Sequence, residues 1–343
     1  MDALQITRPD DWHVHFRDGA HLHHVVPDTA RRFGRAIVMP NLDPPVTTVA
    51  AALAYRRKIL EAAPAGVEFE PLMTLYLTDE TTAAEIHRIR ESAQVHAVKL
   101  YPAGATTNAA SGVTDISRPE RALSAMEASG IPLLVHGEVA DPAVDVFDRE
   151  RVFIDRVLAP LVRRFPALKI VFEHVTTADA VAFVNESPAN VAATITAHHL
   201  VLNRNALFID GLRPHHYCLP VPKRESHRQA LIEAATGGSR KFFLGTDSAP
   251  HGRRRKEAAC GCAGVYTAHA GIELYAEVFE AAGALARLEA FASFNGPDFY
   301  GLPRNREKIT LRKAVQDVPP TLPFDDDVLI PFRAGGQLSW SLG

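Results

Sequence analysis

Short apolar runs alternate with longer amphipathic stretches along most of the chain. The runs are rich in β-branched and aromatic residues and are bounded by polar or turn-forming residues. They lie at 11–16, 35–39, 68–76, 95–101, 132–136, 169–174, 191–196 and 241–246. Runs of this kind are typical of buried strands in a parallel sheet, so the pattern predicts eight strands.

The stretches between these runs repeat apolar residues at intervals of three and four. They predict helices over 48–63, 81–92, 119–129, 149–164, 178–186 and 224–235, with two further helices over 265–282 and 284–294. Strands that alternate with helices in this way predict a (β/α)8 TIM-like barrel. A doubly wound open sheet is the alternative, but no G-x-G-x-x-G sequence follows the first strand, as a dinucleotide fold requires.

Two segments lack periodicity. Residues 102–117 are rich in Gly, Ala, Thr and Asn and follow the fourth strand, which predicts a mobile loop. Residues 304–343 are Pro-rich and irregular, and we expect them to form a C-terminal extension packed on the barrel as part of one domain, 1–343.

The composition argues against several classes of protein, namely nucleic-acid-binding, membrane-associated and disulfide-rich proteins. Lys and Arg number 37 and Asp and Glu 40, a net charge of −3, which argues against a nucleic-acid partner. No apolar run reaches the roughly 18 to 20 residues that cross a bilayer, and the polar start does not resemble a signal peptide, so we expect no membrane association and a cytoplasmic location. The three cysteines do not predict a disulfide framework, and structural thiols are favoured.

The 16 histidines are the unusual feature, because several of them stand where a predicted strand ends. Active sites of barrels lie at the carboxyl ends of the strands. The polar residues at these ends are His13, His15, Asn41, Lys99, His136, His174, His198, His199 and Asp247. One buried histidine is more often structural than a ligand, but imidazoles and a carboxylate that converge on one rim match the ligands that zinc prefers.

Lys99 does not fit this set as it stands, because an ammonium group has no lone pair to offer a cation. A salt bridge with Asp247 or a snorkelling side chain is an equally good interpretation of this lysine alone.

The ordered motifs of the chain resemble those of the amidohydrolase superfamily, and in particular its shorter bacterial dihydroorotases. The resemblance covers most of the chain. It is carried by the segments HVHFRD (13–18), MPN (39–41), KLYP (99–102), HGE (136–138), EH (173–174), YCLP (217–220), GTDSAPH (245–251), CGCAG (260–264) and NGP (295–297). H-x-H alone is a weak signal, whereas the ordered set is specific.

The resemblance implies two zinc ions per chain, bridged by hydroxide and by Lys99 carboxylated with CO2. His13, His15 and Asp247 would hold one ion, and His136 and His174 the other. Asp247 would also act as general base and then as general acid. The implied activity is the reversible cyclisation of N-carbamoyl-L-aspartate to L-dihydroorotate in pyrimidine synthesis, and the implied assembly is a homodimer.

Substrate binding is implied at the same rim. Arg17 is expected to grip the substrate carboxylate, as a planar guanidinium can. The family implies further contacts from Asn41 and His251 to the carboxylate, from backbone groups of Leu219 and Ala263 to the ring, and from Thr106 and Thr107 in a closing loop. A hydantoinase or dihydropyrimidinase, and a non-catalytic barrel that serves as a binding partner, are the alternatives. The basic run 253–256 is expected to be a solvated loop.

Overall fold

The computed structural model describes residues 2–343, and its central feature is a barrel of parallel strands. The strands are β1 (Ala3–Thr7), β2 (Asp10–Val14), β3 (Arg35–Val38), β4 (Glu70–Leu77), β5 (Val95–Leu100), β6 (Leu133–Val135), β7 (Ile170–Phe172), β8 (Val191–Ile195), β9 (Phe242–Leu244), β10 (Lys308–Arg312), β11 (Gln316–Asp317), β12 (Leu322–Phe324), β13 (Asp327–Leu329), β14 (Gln337–Leu338) and β15 (Ser341–Leu342). Strands β2 to β9 pair in sequence order in one sheet. A parallel bridge between Val14 and Ser248 closes it. The predicted barrel and its eight strands are confirmed.

Helices surround the barrel. They are α1 (Leu22–Arg32), α2 (Val49–Ala62), α3 (Ala83–Glu91), α4 (Glu120–Ser129), α5 (Arg149–Phe153), α6 (Ala159–Arg164), α7 (Ala178–Glu186), α8 (Ala197–Val201), α9 (Glu225–Thr236), α10 (Arg253–Lys256), α11 (Gly271–Ala281) and α12 (Asn295–Tyr300). The side chains of Thr48, Thr82 and Thr177 accept backbone N–H groups at the starts of α2, α3 and α7. Such caps satisfy donors that have no partner within the helix. None of the helices in the described range is both long and apolar enough to cross a bilayer.

Several predicted helix boundaries were wrong. The helix expected over 265–282 begins only at Gly271, because Val265 pairs with Ser248 as an extended segment and a 3₁₀ turn follows at Ala268–Ala270. Residues 284–294 form a 3₁₀ turn and a π turn instead of one α-helix. The predicted helix 149–164 is continuous, but its middle is a π turn at Ile154–Leu158, just before Pro160, which has no N–H to donate.

The C-terminal extension is more regular than its sequence suggested. β10 pairs antiparallel with both β1 and β15, so the first and the last strand belong to one small sheet with β10 between them. Two small antiparallel pairs, β11 with β14 and β12 with β13, make up the rest. Strands of two or three residues are too short to show a period of two, which explains why the sequence did not predict them.

Candidate metal centre and substrate pocket

Three side chains from opposite ends of the chain converge at the carboxyl-terminal rim of the barrel. The Nε2 atoms of His13 and His15 lie 3.2 Å apart. Asp247 Oδ1 lies 3.3 Å from the first of these nitrogens and 3.1 Å from the second. Zinc bonds of about 2.0–2.1 Å in a tetrahedral arrangement separate neighbouring ligand atoms by about 3.3 Å. The triangle therefore has the size that a shared cation requires.

A pairing irregularity in β2 brings both histidines to the rim. In a regular strand Trp12 and Val14 would face the same side. The register between β2 and β3 shifts just before Val14, and Trp12 packs inside the barrel whereas Val14 packs against the surrounding helices. This bulge lets Trp12 fill the interior while His13 and His15 both point to the rim.

His174 and His136 extend the cluster away from this triangle. The ring centroid of His174 lies 5.0 Å from that of His13 and 4.9 Å from that of His136. His174 Nδ1 is buried and has no hydrogen-bond partner among residues 2–343. The Nε2 atom of His136 lies 3.1 Å from Glu138 Oε2. A buried ring nitrogen without a partner is costly in a folded protein, and a bound cation removes that cost.

Two of these residues have a left-handed backbone conformation, which residues other than glycine rarely adopt. The φ angle is +42° at His174 and +45° at Asp247. Left-handed conformations cost about 1–3 kcal/mol at residues other than glycine and persist where the surrounding structure enforces them. At Asp247 the enforcing contact is its own N–H, which donates to the carbonyl of His13 at 2.8 Å.

Lys99 lies next to this cluster and is completely buried. Its Nζ atom contacts Glu173 Oε2, not Asp247, so the salt bridge with Asp247 considered from the sequence does not form. The other oxygen of Glu173 lies 3.1 Å from His13 Nδ1, on the side of that ring away from the triangle. Burial holds the pKa of Lys99 well below its usual range. A lysine that readily becomes a neutral amine is the form that combines with CO2.

The charges of the cluster suit metal binding. Burial lowers the pKa of His15 to about 3, with a further contribution from Arg17. Burial also lowers the pKa of His174 well below its usual range. For Asp247, burial would raise the pKa, but hydrogen bonds from His13 and His15 and the attraction of any proton that the neighbouring rings carry outweigh it and hold the pKa well below its usual value. The resting cluster therefore offers neutral imidazoles and an ionised carboxylate, the forms that bind cations.

A narrow cavity of about 20 Å³ opens on this rim. Its lining contains five of the six predicted metal ligands, all except Lys99, and every predicted substrate-binding residue except His251. The lining residues are His13, His15, Arg17, Asn41, Tyr101, Thr106, Thr107, His136, His174, Cys218, Leu219, Asp247, Ala249, Ala263 and Gly264, and His251 contacts Arg17 from behind. The residues predicted to bind metal and those predicted to bind substrate thus lie together at one site.

Arg17 is the cation of this cavity. Its Nη2 atom lies 3.0 Å from His251 Nε2, and its Nη1 atom 3.4 Å from His15 Nδ1. Among the residues that the structure describes, no carboxylate lies within ion-pairing distance of its guanidinium. The backbone at Arg17 is left-handed, with φ +64°, and the hydroxyl of Tyr55 donates to its carbonyl. The guanidinium is therefore held in place without a counter-ion.

The loop 102–117 covers the cavity in this structure. Asn41 Nδ2 donates to the carbonyl of Thr107 at 3.1 Å, and Asn108 Nδ2 donates to the carbonyl of Asn41 at 3.0 Å. Thr107 Oγ1 lies 3.5 Å from the carbonyl of Ala263. Ala109 of the loop also packs with Tyr76 and Tyr101, so both polar and apolar contacts hold the loop in this position.

In the basic run 253–256, which forms the short helix α10, the three arginines are exposed as expected of a solvated segment, but the lysine is not. Lys256 is buried, and its Nζ donates to the carbonyls of Tyr217, Cys262 and Gly264 at 2.7–2.8 Å. These three carbonyls flank the two cavity-lining segments that contain Leu219 and Ala263. Lys256 therefore links the two segments. Its neighbours in sequence are exposed cations, so the sequence did not indicate this structural role.

Other site residues were also missed. Tyr101 lines the cavity, and its hydroxyl has no partner within the described chain. It stands two residues after Lys99, so the same period that relates His13 to His15 could have identified it. Glu173 carried no signal of its own. His198 and His199, which the sequence grouped with the rim residues, are buried outside the lining of the cavity.

Comparison with known proteins agrees with this geometry. A profile described as the Amidohydrolase family matches residues 10–314. The chain belongs to the amidohydrolase family. A dihydroorotase of Methylobacillus flagellatus is 69% identical over 340 residues, which are 99% of each chain. A dihydroorotase of Azoarcus sp. is 66% identical over the whole of both chains. These relatives place the chain among the dihydroorotases of the family.

Solved structures give the same result. A Saccharomyces cerevisiae dihydroorotase in complex with 5-fluoroorotic acid has a TM-score of 0.92 and 35% identity, and the match covers 100% of this chain and 99% of that one. A Campylobacter jejuni dihydroorotase has a TM-score of 0.91 and 35% identity, covering 99% and 97%. An L-hydantoinase of Arthrobacter aurescens has a TM-score of 0.80 at 15% identity, which shows a shared fold only.

Proposed function

We propose that this cyclic amidohydrolase interconverts N-carbamoyl-L-aspartate and L-dihydroorotate in pyrimidine synthesis, with zinc as its metal. The substrate assignment rests mainly on Arg17, whose guanidinium lines the cavity without a counter-ion, beside a cluster of side chains that can bind metal. A guanidinium in this position is stabilised by an anionic ligand. Both proposed substrates carry a carboxylate, whereas the ring of a hydantoin or dihydropyrimidine does not.

The proposed centre holds two zinc ions per chain. His13, His15 and Asp247 would bind one of them, His136 and His174 the other, and carboxylated Lys99 would bridge the pair. The unpartnered Nδ1 of His174 and the spacing of the His13, His15 and Asp247 atoms support this assignment. When bound, the ions would acidify water and polarise the scissile carbonyl.

Asp247 is the proposed proton carrier. Its carboxylate is ionised and lines the cavity, so it can accept a proton from the attacking water and return it to the amide nitrogen that leaves. In the ring-closing direction the same group takes the proton from that nitrogen. Asp247 Oδ1 already faces both His13 and His15, and Oδ2 therefore remains for the proton.

The substrate carboxylate is proposed to bind Arg17, Asn41 and His251 together. His251 Nε2 lies between the Arg17 guanidinium and the carbonyl of Ala263, at 3.0 Å and 3.1 Å. Backbone groups of Leu219 and Ala263 would meet the ring. Thr106 and Thr107 would close over it from the loop.

The test is a steady-state assay in which dihydroorotate and dihydrouracil, the same ring without the carboxylate, are compared. We expect dihydroorotate turnover to disappear on chelation and to return with zinc. We expect dihydrouracil to be a poorer substrate by about 10⁴-fold in kcat/KM, since a site built for a polar group rejects the analogue that lacks it. Equal turnover of both rings would favour the hydantoinase alternative, and no turnover by the zinc-loaded protein would favour a non-catalytic barrel.

A homodimer and a cytoplasmic location stay predictions. Phe208, Ile209 and Leu212 are exposed on one loop, with 62%, 54% and 76% of their surface accessible, and a second copy of the chain would cover them. Sedimentation velocity of the wild type and of a Leu212→Asp variant tests this assignment.

A further inference from the structure

Next to the rim lies a second cluster of side chains that can bind metal, and the proposed activity does not use it. It consists of His198, His199 and Cys218, whose ligand atoms all lie within 4.8 Å of one another. All three residues are buried. His198 and His199 follow β8 at the start of α8, and Cys218 belongs to the segment that leads to Leu219.

Hydrogen bonding accounts for only part of this cluster. His199 Nε2 lies 2.9 Å from the carbonyl of Pro220, and its Nδ1 lies 2.8 Å from Thr196 Oγ1. Both ring nitrogens of His198, by contrast, are without a hydrogen-bond partner in the described part of the chain, although the residue is fully buried. Buried polar atoms of this kind are rare in native proteins and call for an unseen partner.

The spacing of the surrounding atoms identifies that partner. Cys218 Sγ lies 3.5 Å from His199 Nε2 and 3.3 Å from the Pro220 carbonyl oxygen. Zn–N bonds of about 2.0–2.1 Å and Zn–S bonds of about 2.3 Å place tetrahedral nitrogen and sulfur ligands about 3.6 Å apart. The sulfur, the nitrogen and the carbonyl oxygen lie 2.9–3.5 Å apart, close to one face of a tetrahedral site. The fourth corner falls to His198, whose ligand atom lies within 4.8 Å of those of Cys218 and His199.

We propose that His198, His199, Cys218 and the Pro220 carbonyl bind a divalent cation of the zinc class at a second site beside the catalytic rim, with Cys218 in the wall between the site and the cavity. Two imidazoles and a thiolate are the ligand types that zinc and cobalt prefer over magnesium and calcium. The cation ties the end of β8 to the segment that carries Leu219.

Binding of the ion displaces one proton and moves another. The thiol of Cys218 loses its proton to solvent when its sulfur becomes a ligand. His199 stays neutral, but its proton moves from Nε2 to Nδ1, where Thr196 Oγ1 accepts it. One proton leaves for each ion bound. Because the ion displaces this proton, binding strengthens as pH rises.

Cobalt titration of protein that carries only two zinc ions per chain, one for each rim position, tests this site without measuring activity. The rim cluster contains no sulfur, so a sulfur-to-cobalt charge-transfer band in the near ultraviolet reports only cobalt bound to a cysteine. We expect this band in the wild type and also in the Cys260→Ser/Cys262→Ser variant, the control that removes the two other thiols. We expect the band to be absent in Cys218→Ser.

His198→Gln makes the test independent of folding, because His198 has no hydrogen bond to lose. This variant should weaken cobalt binding about 10- to 100-fold while its two rim ions and its dihydroorotate turnover are retained. The absence of a band in the wild type would overturn the proposal. So would a band that persists in both Cys218→Ser and His198→Gln, or one that disappears only in the Cys260→Ser/Cys262→Ser control.

Discussion

Replacing Arg17 by alanine tests the substrate assignment most directly. The guanidinium can donate two charge-assisted hydrogen bonds to a carboxylate, each worth about 1.5–3 kcal/mol. Together they represent about 3–6 kcal/mol, or about 10²- to 10⁴-fold in kcat/KM at about 1.4 kcal/mol for each factor of ten. Because Asn41 and His251 remain, we expect Arg17→Ala to lower kcat/KM for dihydroorotate by about 10²- to 10³-fold.

The assay follows ring opening by the loss of amide absorbance, with metal content and thermal stability measured on the same preparations. Arg121→Ala is the matched control, because Arg121 is an exposed cation on α4. This control should retain wild-type kinetics. Dihydrouracil provides a second comparison, since a ring without a carboxylate gains nothing from Arg17, and its slow turnover should change little in Arg17→Ala.

Two results would refute this reasoning. A fall of less than about threefold with dihydroorotate would show that the carboxylate binds elsewhere. An equal fall with both rings, at full metal content, would show that Arg17 acts on the reacting amide or through the Nδ1 atom of His15, 3.4 Å away, and not on the carboxylate.

Three further changes have expected outcomes. Lys99→Ala should lose bound metal and nearly all turnover, because two cations held without the bridging carbamate repel each other at close range. Elemental analysis measures the metal, and full metal content in this variant would exclude the bridge. Lys256→Met should raise KM more than it lowers kcat, because three carbonyls that fix the cavity wall lose their donor, and Arg255→Met is its exposed control. Glu273→Ala should lower the free energy of unfolding by about 3–5 kcal/mol in urea titration, because it leaves the buried guanidinium of Arg32 without its bidentate partner; a loss below about 1 kcal/mol would contradict this.

The barrel could be predicted because its strands are buried on both faces. Such strands are continuous apolar runs, and polar residues at their ends stand out against that background. The rim set from His13 to Asp247 was found for this reason, and the structure gathers its members at one cavity except for Lys99, His198 and His199, which are buried outside its lining. The pairing of Arg17 with His251, 234 positions away, came only from the family resemblance, since nothing local in the sequence relates these two residues.

Residues that act through distant contacts could not be predicted. Lys256 looks like its exposed neighbours in sequence, and only the folded chain shows three carbonyls around its Nζ. Glu173 is one of 40 acidic residues, and its contact with Lys99 depends on the order of strands in the barrel. The bulge that places Trp12 inside the barrel likewise depends on pairing between strands, which local periodicity does not contain.

The charges of the site explain why its two halves need each other. Without metal, the rim offers neutral imidazoles, the carboxylate of Asp247 and a buried Lys99 whose ammonium form is disfavoured. Two zinc ions would bring four positive charges, which one carbamate, one hydroxide and the carboxylates of Asp247 and Glu173 would balance. Arg17 then leaves the site with one positive charge. A positively charged cavity favours an anionic ligand over a neutral ring. The preference for a carboxylate substrate should therefore weaken when the metals are removed, as well as when Arg17 is lost. Calorimetry of orotate binding to the apoprotein would measure the size of this effect.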